Sequence, residues 1–583
     1  MNKGNKGTTR VFKLLLIATA LFAFGATTFA GTLIPLVPNS DVASNRSTVG
    51  SGNPRGNLQV VDPDGTWIFN TNSTAAPWST TANWSGGIIA DGGGFADFST
   101  VNITGARNPD IDTTSRTVRR LDIGDTNNTH SYTISASGGG SLIFDNTANS
   151  ADAQLNQTLN SHGDTISAPI TLNSSLDVTN ASSNTLTLSG IISGLGGLNL
   201  ASGTLALGSS SNTYSGGTNI SGGKITIGAS GTPLGSSTLT LSGGSLVTTA
   251  SRSSGSALTM NVVVTGDSAI TTTSAASPVT LPFTGTLTGT GGTLTIRNDA
   301  VATTGQFDVR FSGGDYTMSQ PIVIDNGAGG GSARFSDFNV SGTTHIYSGV
   351  ISGTGSFNRS VSSGTGGLTV FTASNTYTGA TVINSGTLQL GMGGTTGSIS
   401  PSSAISIGVA GTFRIDRSDA IVQGTAFSSS AITGLGKFVK DGTGSVEFNI
   451  TNSFSGGSTI NKGTVIMSAD LALGTGSISL TAGSITLTLQ GAHNNFISDA
   501  ATLSYVNTDA INLNYSGTDT VAGLIVDGVS QGPGVYGATG INPDGVFTGI
   551  GTITVVPEPT TVAMTLLGAG LLLGAQRFRR KAR

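Results

Sequence analysis

The sequence predicts an all-β fold, a right-handed parallel β-helix or β-solenoid, bracketed by an N-terminal signal peptide and one C-terminal transmembrane helix. Three observations predict it. Glycine occurs 87 times in 583 residues, glutamate only at Glu447 and Glu558, and Thr, Ser, Val and Ile stand where strong helix formers would be needed. Apolar and polar residues alternate with period two in runs such as Thr185-Leu186-Thr187-Leu188, Thr238-Leu239-Thr240-Leu241 and Ser484-Ile485-Thr486-Leu487-Thr488-Leu489, which describes strands buried on one face. A longer unit recurs along the chain, as it does where supersecondary units stack into one continuous core. Hydrophobic residues make up 36% of the chain and are regularly spaced, which favours order over the disorder that low charge and abundant glycine can signal.

Residues 1–30 read as a signal peptide. Lys3, Lys6, Arg10 and Lys13 form the positive n-region, an apolar stretch follows over 14–24, and Thr28-Phe29-Ala30 places small residues where a signal peptidase inspects them, so cleavage is expected after Ala30. Residues 31–58, rich in Ser, Asn, Pro and Gly, are expected to be a flexible mature N-terminus. Residues 59–160 are expected to cap the solenoid. Trp67, Trp78 and Trp84 lie there with Phe69, Phe95 and Phe98. The spacing Trp78-Ser79, then Asn83-Trp84, resembles an opening found in many exported β-solenoid proteins. The tryptophans would serve either as a lid on the first coil or as stacking faces for carbohydrate.

Residues 161–500 carry the solenoid proper, with repeats at about 192–228, 351–391 and 432–467. The first contains Ile192-Ser193-Gly194, Asn212-Thr213-Tyr214-Ser215-Gly216-Gly217-Thr218 and Gly223-Lys224-Ile225. The second contains Ile351-Ser352-Gly353, Asn375-Thr376-Tyr377-Thr378-Gly379-Ala380-Thr381 and Gly386-Thr387-Leu388. The third contains Ile432-Thr433-Gly434, Asn452-Ser453-Phe454-Ser455-Gly456-Gly457-Ser458 and Gly463-Thr464-Val465. A partial copy begins at Leu287-Thr288-Gly289. These units resemble the autotransporter-associated β-strand repeat, departing from it mildly at Ala380, Ser453 and Phe454. The aromatic of each unit is expected in the core, and Asn212, Asn375 and Asn452 are expected to satisfy turn backbone groups. At roughly 22 residues per coil, the region between the terminal signals would make about 24 coils. Residues 501–555 are expected to form a terminal β region, in which 511–519, 524–529 and 534–536 resemble the closing segment after such repeats. No run of amphipathic barrel strands follows.

Residues 556–583 combine Pro557, Glu558 and Pro559, an apolar stretch over 560–575, and the basic tail Arg577, Arg579, Arg580, Lys581 and Arg583. The apolar stretch would make roughly 24 Å of helix, a little short of the ~30 Å hydrocarbon core. The flanking cations would stay cytoplasmic. The three parts in this order resemble the PEP-CTERM sorting signal. That resemblance implies exosortase as sorting partner, an association with exopolysaccharide, anchoring in the inner membrane by the C-terminal helix before processing, and a destination at the cell surface or in the extracellular matrix of a Gram-negative bacterium.

Charge narrows the partners. Of 26 Lys+Arg, four lie in the leader and five in the tail; of 30 Asp+Glu, only Glu558 lies in either. The remainder keeps 17 cations against 29 acids, about −12, which disfavours nucleic acid. With no cysteine in the chain, disulfides and Cys-based zinc sites are excluded. His130, His162, His345 and His493 are widely separated, with no paired metal spacing, and Gly313-Gly314-Asp315 is an isolated fragment of a calcium nonapeptide. No metal, cofactor or catalytic residue is expected. The best enzyme candidate is Asp110 and Asp112 ahead of Arg116, Arg119 and Arg120, which could supply calcium carboxylates and a base for a polysaccharide lyase, or else form a surface turn and a salt-bridged strand. The expected function is a non-enzymatic surface or matrix structural protein. The alternatives are an adhesin and, behind it, a polysaccharide-degrading β-helix.

Overall fold

The computed structural model describes residues 63–70, 76–301, 305–361, 366–481 and 483–556. Short strands, most of three to six residues, pair in parallel with the strand one coil away, and about 18 turns stack in this way. Each coil contributes up to three strands, so three walls enclose one core. Alternation dictates which side chains enter it, because successive side chains of a strand point to opposite faces.

On one wall Leu186, Leu205, Ile225, Leu246, Ile270, Ile296 and Ile324 are register partners in successive coils, and all are fully buried. On a second, Val178, Leu200, Ile220, Leu241 and Val264 form an equivalent column. The third wall carries Leu281, Val309, Phe335 and Phe357 in register. Each such side chain contributes about 1.5–3 kcal/mol by leaving water. Columns of like residues thus repeat the same burial every ~4.8 Å along the stack. Outward positions between them, such as Thr187, Ala206 and Thr226, remain partly exposed.

Coil length varies more than a uniform repeat of roughly 22 residues implies. Leu205 pairs with Ile225, 20 residues on, whereas Ile322 pairs with Ile351, 29 residues on. The extra residues lie in loops between strands, as at 326–331 and 338–343, which lengthen a coil without adding strand. Among the described residues the turns therefore number about 18, fewer than the roughly 24 expected between the terminal signals.

Both ends of the described solenoid are closed differently from its middle. At the N-terminal end Trp67, Trp78 and Trp84 are at most 1% exposed. Trp67 stacks on Phe98 at 5.1 Å, and Trp84 packs against Trp67 and Trp78 at 5.1 and 5.0 Å. The indole N–H of Trp84 donates to Trp78 O (2.7 Å) and that of Trp78 to Ala90 O (2.9 Å), while the Asn83 amide donates to Pro77 O (2.8 Å). The Trp-Ser…Asn-Trp spacing is therefore a self-bonded knot over the first coils, and its ring faces are covered by other rings. At the C-terminal end pairing turns antiparallel: Gly523–Val526 with Val529–Ser530, and Gly534–Tyr536 with Thr552–Val555. A reversed strand occupies the edge that another parallel strand would otherwise extend.

Candidate functional site

The three repeats place the same side chains in the same roles. Asn212 accepts the Ile192 N–H (2.9 Å) in the preceding coil and donates to Pro233 O (2.7 Å) in the following one. Asn375 does the same between Ile351 N (2.8 Å) and Ser398 O (3.0 Å), and Asn452 between Ile432 N (2.7 Å) and Ala472 O (2.6 Å). All three are at most 2% exposed. A carboxamide has an acceptor and donors at one tip, which lets one residue tie three coils together where the strand ladder is interrupted.

The aromatic two residues on is fully buried in each copy. Tyr214 and Tyr377 meet the hydroxyls of Thr218 and Thr381 at 2.6 Å. In the third copy Phe454 lacks the hydroxyl, and Ser458, standing in for the threonine, keeps a bond to Leu473 O (3.2 Å) like the one Thr218 makes to Leu234 O (3.0 Å). Gly353 has φ +102°, and a Cβ there would lie 2.2 Å from Ile324 O; Gly194 and Gly434 are alike. Only glycine fits a left-handed turn pressed onto the coil beneath.

The lyase candidate does not converge. Arg116 pairs with Asp91 (2.8 Å), Arg119 with Asp64 (2.9 Å) and Arg120 with Asp122 (2.6 Å), three separate carboxylates along the strand Arg116–Ile123. Asp112, in a left-handed turn at φ 62°, accepts from the hydroxyl (2.6 Å) and amide (3.2 Å) of Ser79. Asp110 is buried and accepts from Ser137. Burial would raise its carboxyl, but the Ser137 hydroxyl and amide and the Asp112 amide hold it below the usual range. The geometry is that of a turn and a salt-bridged strand. Among the described residues no group of three or more His, Asp or Glu side chains could hold a metal ion.

Sequence spacing did not disclose a buried polar network between coils 308–371. His345 and Asp337 are both fully buried, with His345 Nδ1 2.6 Å from the Asp337 carboxylate and Nε2 3.0 Å from Gly313 O. The Thr369 hydroxyl donates to the other Asp337 oxygen, and the His345 ring lies 4.0 Å from that of Tyr316. Nearby Asp308 accepts from Arg310 Nε and Arg334 Nη2, both at 2.7 Å, and from Ser336. Burial would raise its carboxyl too; the Arg334 hydrogen bond and charge, with Ser336 and Arg310, bring it below the usual range. The His–Asp pair is enclosed, so it can cross-link coils but has no face for a substrate. Tyr316, His345 and Thr369 are register partners in successive coils, and only the register brings them together.

The exposed wall outside this network is hollowed into a groove of about 530 Å³. Its floor is two outward columns. Ala257, Pro282 and Arg310 follow one another through the Leu258–Phe283 bridge and the Pro282–Arg310 register. Thr284, Ser312 and Phe338 form the second, each amide bonding the carbonyl one coil below. The Arg310 guanidinium lies 4.8 Å from the Phe338 ring centre.

Ala30, Pro557, Glu558, Pro559 and the tail Arg577, Arg579, Arg580, Lys581 and Arg583 lie outside the described residues, as does the 560–575 stretch. No helix among the described residues is long and apolar enough to cross a membrane.

Comparison with known proteins bears on both ends of this description. A family model described as passenger-associated-transport-repeat matches residues 202–227, 363–390 and 438–467, segments that contain Asn212, Asn375 and Asn452 and the strands after them. A second, described as PEP-CTERM protein-sorting motif, matches residues 555–581. No curated protein and no solved structure matches the chain. The sorting motif implies export, sorting to the Gram-negative cell envelope and exosortase as the sorting partner. The chain thus carries a PEP-CTERM protein-sorting motif behind a parallel β-solenoid that contains three passenger-associated-transport repeats.

Proposed function

We propose that this protein is a non-enzymatic structural component of the cell surface or extracellular matrix, held in contact with exopolysaccharide. The observation that carries the reading is the sorting motif at 555–581 directly behind the final strand, Thr552–Val555, of a solenoid of about 18 turns. In this reading the leader is cut after Ala30, and residues 31–58 precede the aromatic cap of 59–160, the repeats of 161–500 and the terminal β region of 501–555. Exosortase recognises Pro557-Glu558-Pro559 while the 560–575 helix holds the chain in the inner membrane and Arg577, Arg579, Arg580, Lys581 and Arg583 stay in the cytoplasm. The helix and tail are then removed. Separate pairing of Arg116, Arg119 and Arg120 supports a structural role over a lytic one.

Fractionation of wild-type cells and cells lacking exosortase tests this. The wild-type protein is expected in the surface polysaccharide fraction, and the mutant's protein in the inner membrane with its tail intact. The same distribution in both strains would overturn the reading.

A further inference from the structure

We propose that the groove floored by Pro282, Thr284, Arg310, Ser312 and Phe338 binds an acidic polysaccharide, with a sugar carboxylate paired to Arg310. The inference rests on the matrix reading above and names its site and ligand class. Three features of the groove select that ligand.

The first is charge. Arg310 and Arg334 share the single carboxylate of Asp308, which leaves one positive charge in excess at the groove. Arg310 spends only Nε on Asp308. Its terminal nitrogens make no hydrogen bond among the described residues, so they remain for a planar carboxylate, which a guanidinium holds with two parallel bonds. The second is lining. Val340 and the half-buried Phe338 ring offer apolar surface over the buried Pro282, while Thr284 offers a hydroxyl and Ser312, whose proton goes to Phe283 O (3.3 Å), a hydroxyl oxygen that can accept. A pyranose has the matching character, with C–H faces and hydroxyl edges, whereas a lipid chain would leave the hydroxyls and Arg310 unmatched. The third is direction. The groove runs across successive coils, so its hydroxyls recur at the ~4.8 Å rung spacing, close to the advance of one sugar along a linear glycan. Its volume of about 530 Å³ falls within the ~300–1,000 Å³ of small-ligand sites and accommodates a short stretch of such a chain.

Titration calorimetry of the purified exported protein with oligogalacturonate, and with cello-oligosaccharide as the neutral probe, tests the proposal. Oligogalacturonate is expected to bind saturably and the neutral probe far more weakly. Arg310→Gln should weaken oligogalacturonate about tenfold or more. Ser312→Asp, which leaves the Arg310–Asp308 pair in place and repels the carboxylate, should do likewise with unchanged thermal unfolding. Arg297→Gln, on another wall, should leave affinity as it is. Equal binding of the two probes, or affinity unaffected by both groove variants, would overturn the proposal. Co-sedimentation with the host's own polysaccharide separates the two levels. Equal retention of wild type and Arg310→Gln overturns the groove alone, and no retention of wild type overturns the matrix reading with it.

Discussion

Replacing Asn212 by alanine tests whether the repeat asparagine is a coil-to-coil tie. The residue is 1% exposed and makes two hydrogen bonds, from Ile192 N–H at 2.9 Å and to Pro233 O at 2.7 Å. Alanine can make neither, and both backbone groups stay buried without a partner, at about 1–3 kcal/mol each. The expected loss is therefore about 2–6 kcal/mol. Stability in a solenoid is close to a sum of coil and nearest-neighbour terms, so the loss should be local. The assay is hydrogen exchange read by peptide, with the amides of 186–241 losing protection and those beyond residue 400 unchanged. Asn219→Ala is the matched control, because Asn219 points outward and bonds only the Ser242 hydroxyl, and surface changes of that kind stay within about 0.5 kcal/mol. Equal, small losses for Asn212→Ala and Asn219→Ala would refute the tie.

Other outcomes follow from the same geometry. Trp78→Ala should destabilise the first coils by about 3–5 kcal/mol, seen as early proteolysis near residue 100 in a timed digest. Tyr377→Phe should cost about 1 kcal/mol by removing the 2.6 Å contact with Thr381, whereas Phe454→Leu should cost packing without any polar term; urea unfolding distinguishes the two. Burial raises Asp519 to about 7, and Asp164 to about 6, against the hydrogen bonds each accepts. Both folded values lie above the ordinary ~3.9, so the native state binds more protons through that window and their contribution to stability falls as pH rises from about 4 to 7. Asp519→Asn should flatten that slope in melting curves taken across the range, and an unchanged slope would count against the assignment.

Much of this structure was legible because its signals repeat. Asn212, Asn375 and Asn452 recur with an aromatic two residues on and glycines behind, so the units could be aligned by eye and their role in backbone satisfaction inferred. What they satisfy was not legible: the partners Pro233, Ser398 and Ala472 lie in the following coil and share no residue type. The aromatic cluster was visible as composition, but the covering of its ring faces depends on Trp84 folding back onto Trp67. The number of turns was overestimated because loops such as 338–343 consume residues without strands. The groove and the His345–Asp337 network were hidden for the same reason. Pro282 and Arg310 are 28 residues apart and Tyr316 and His345 29, spacings no uniform repeat would pair. Function divided the same way. The sorting motif is contiguous and can be read directly, while any site for the ligand is assembled across coils.

Intact mass of the protein released to the cell surface decides whether both terminal signals are removed on the way there. The expected chain begins at Gly31 and ends at or near Pro557-Glu558-Pro559, without the 560–575 stretch or the basic tail. A surface protein whose mass still includes residues through Arg583 would rule out processing at the sorting motif.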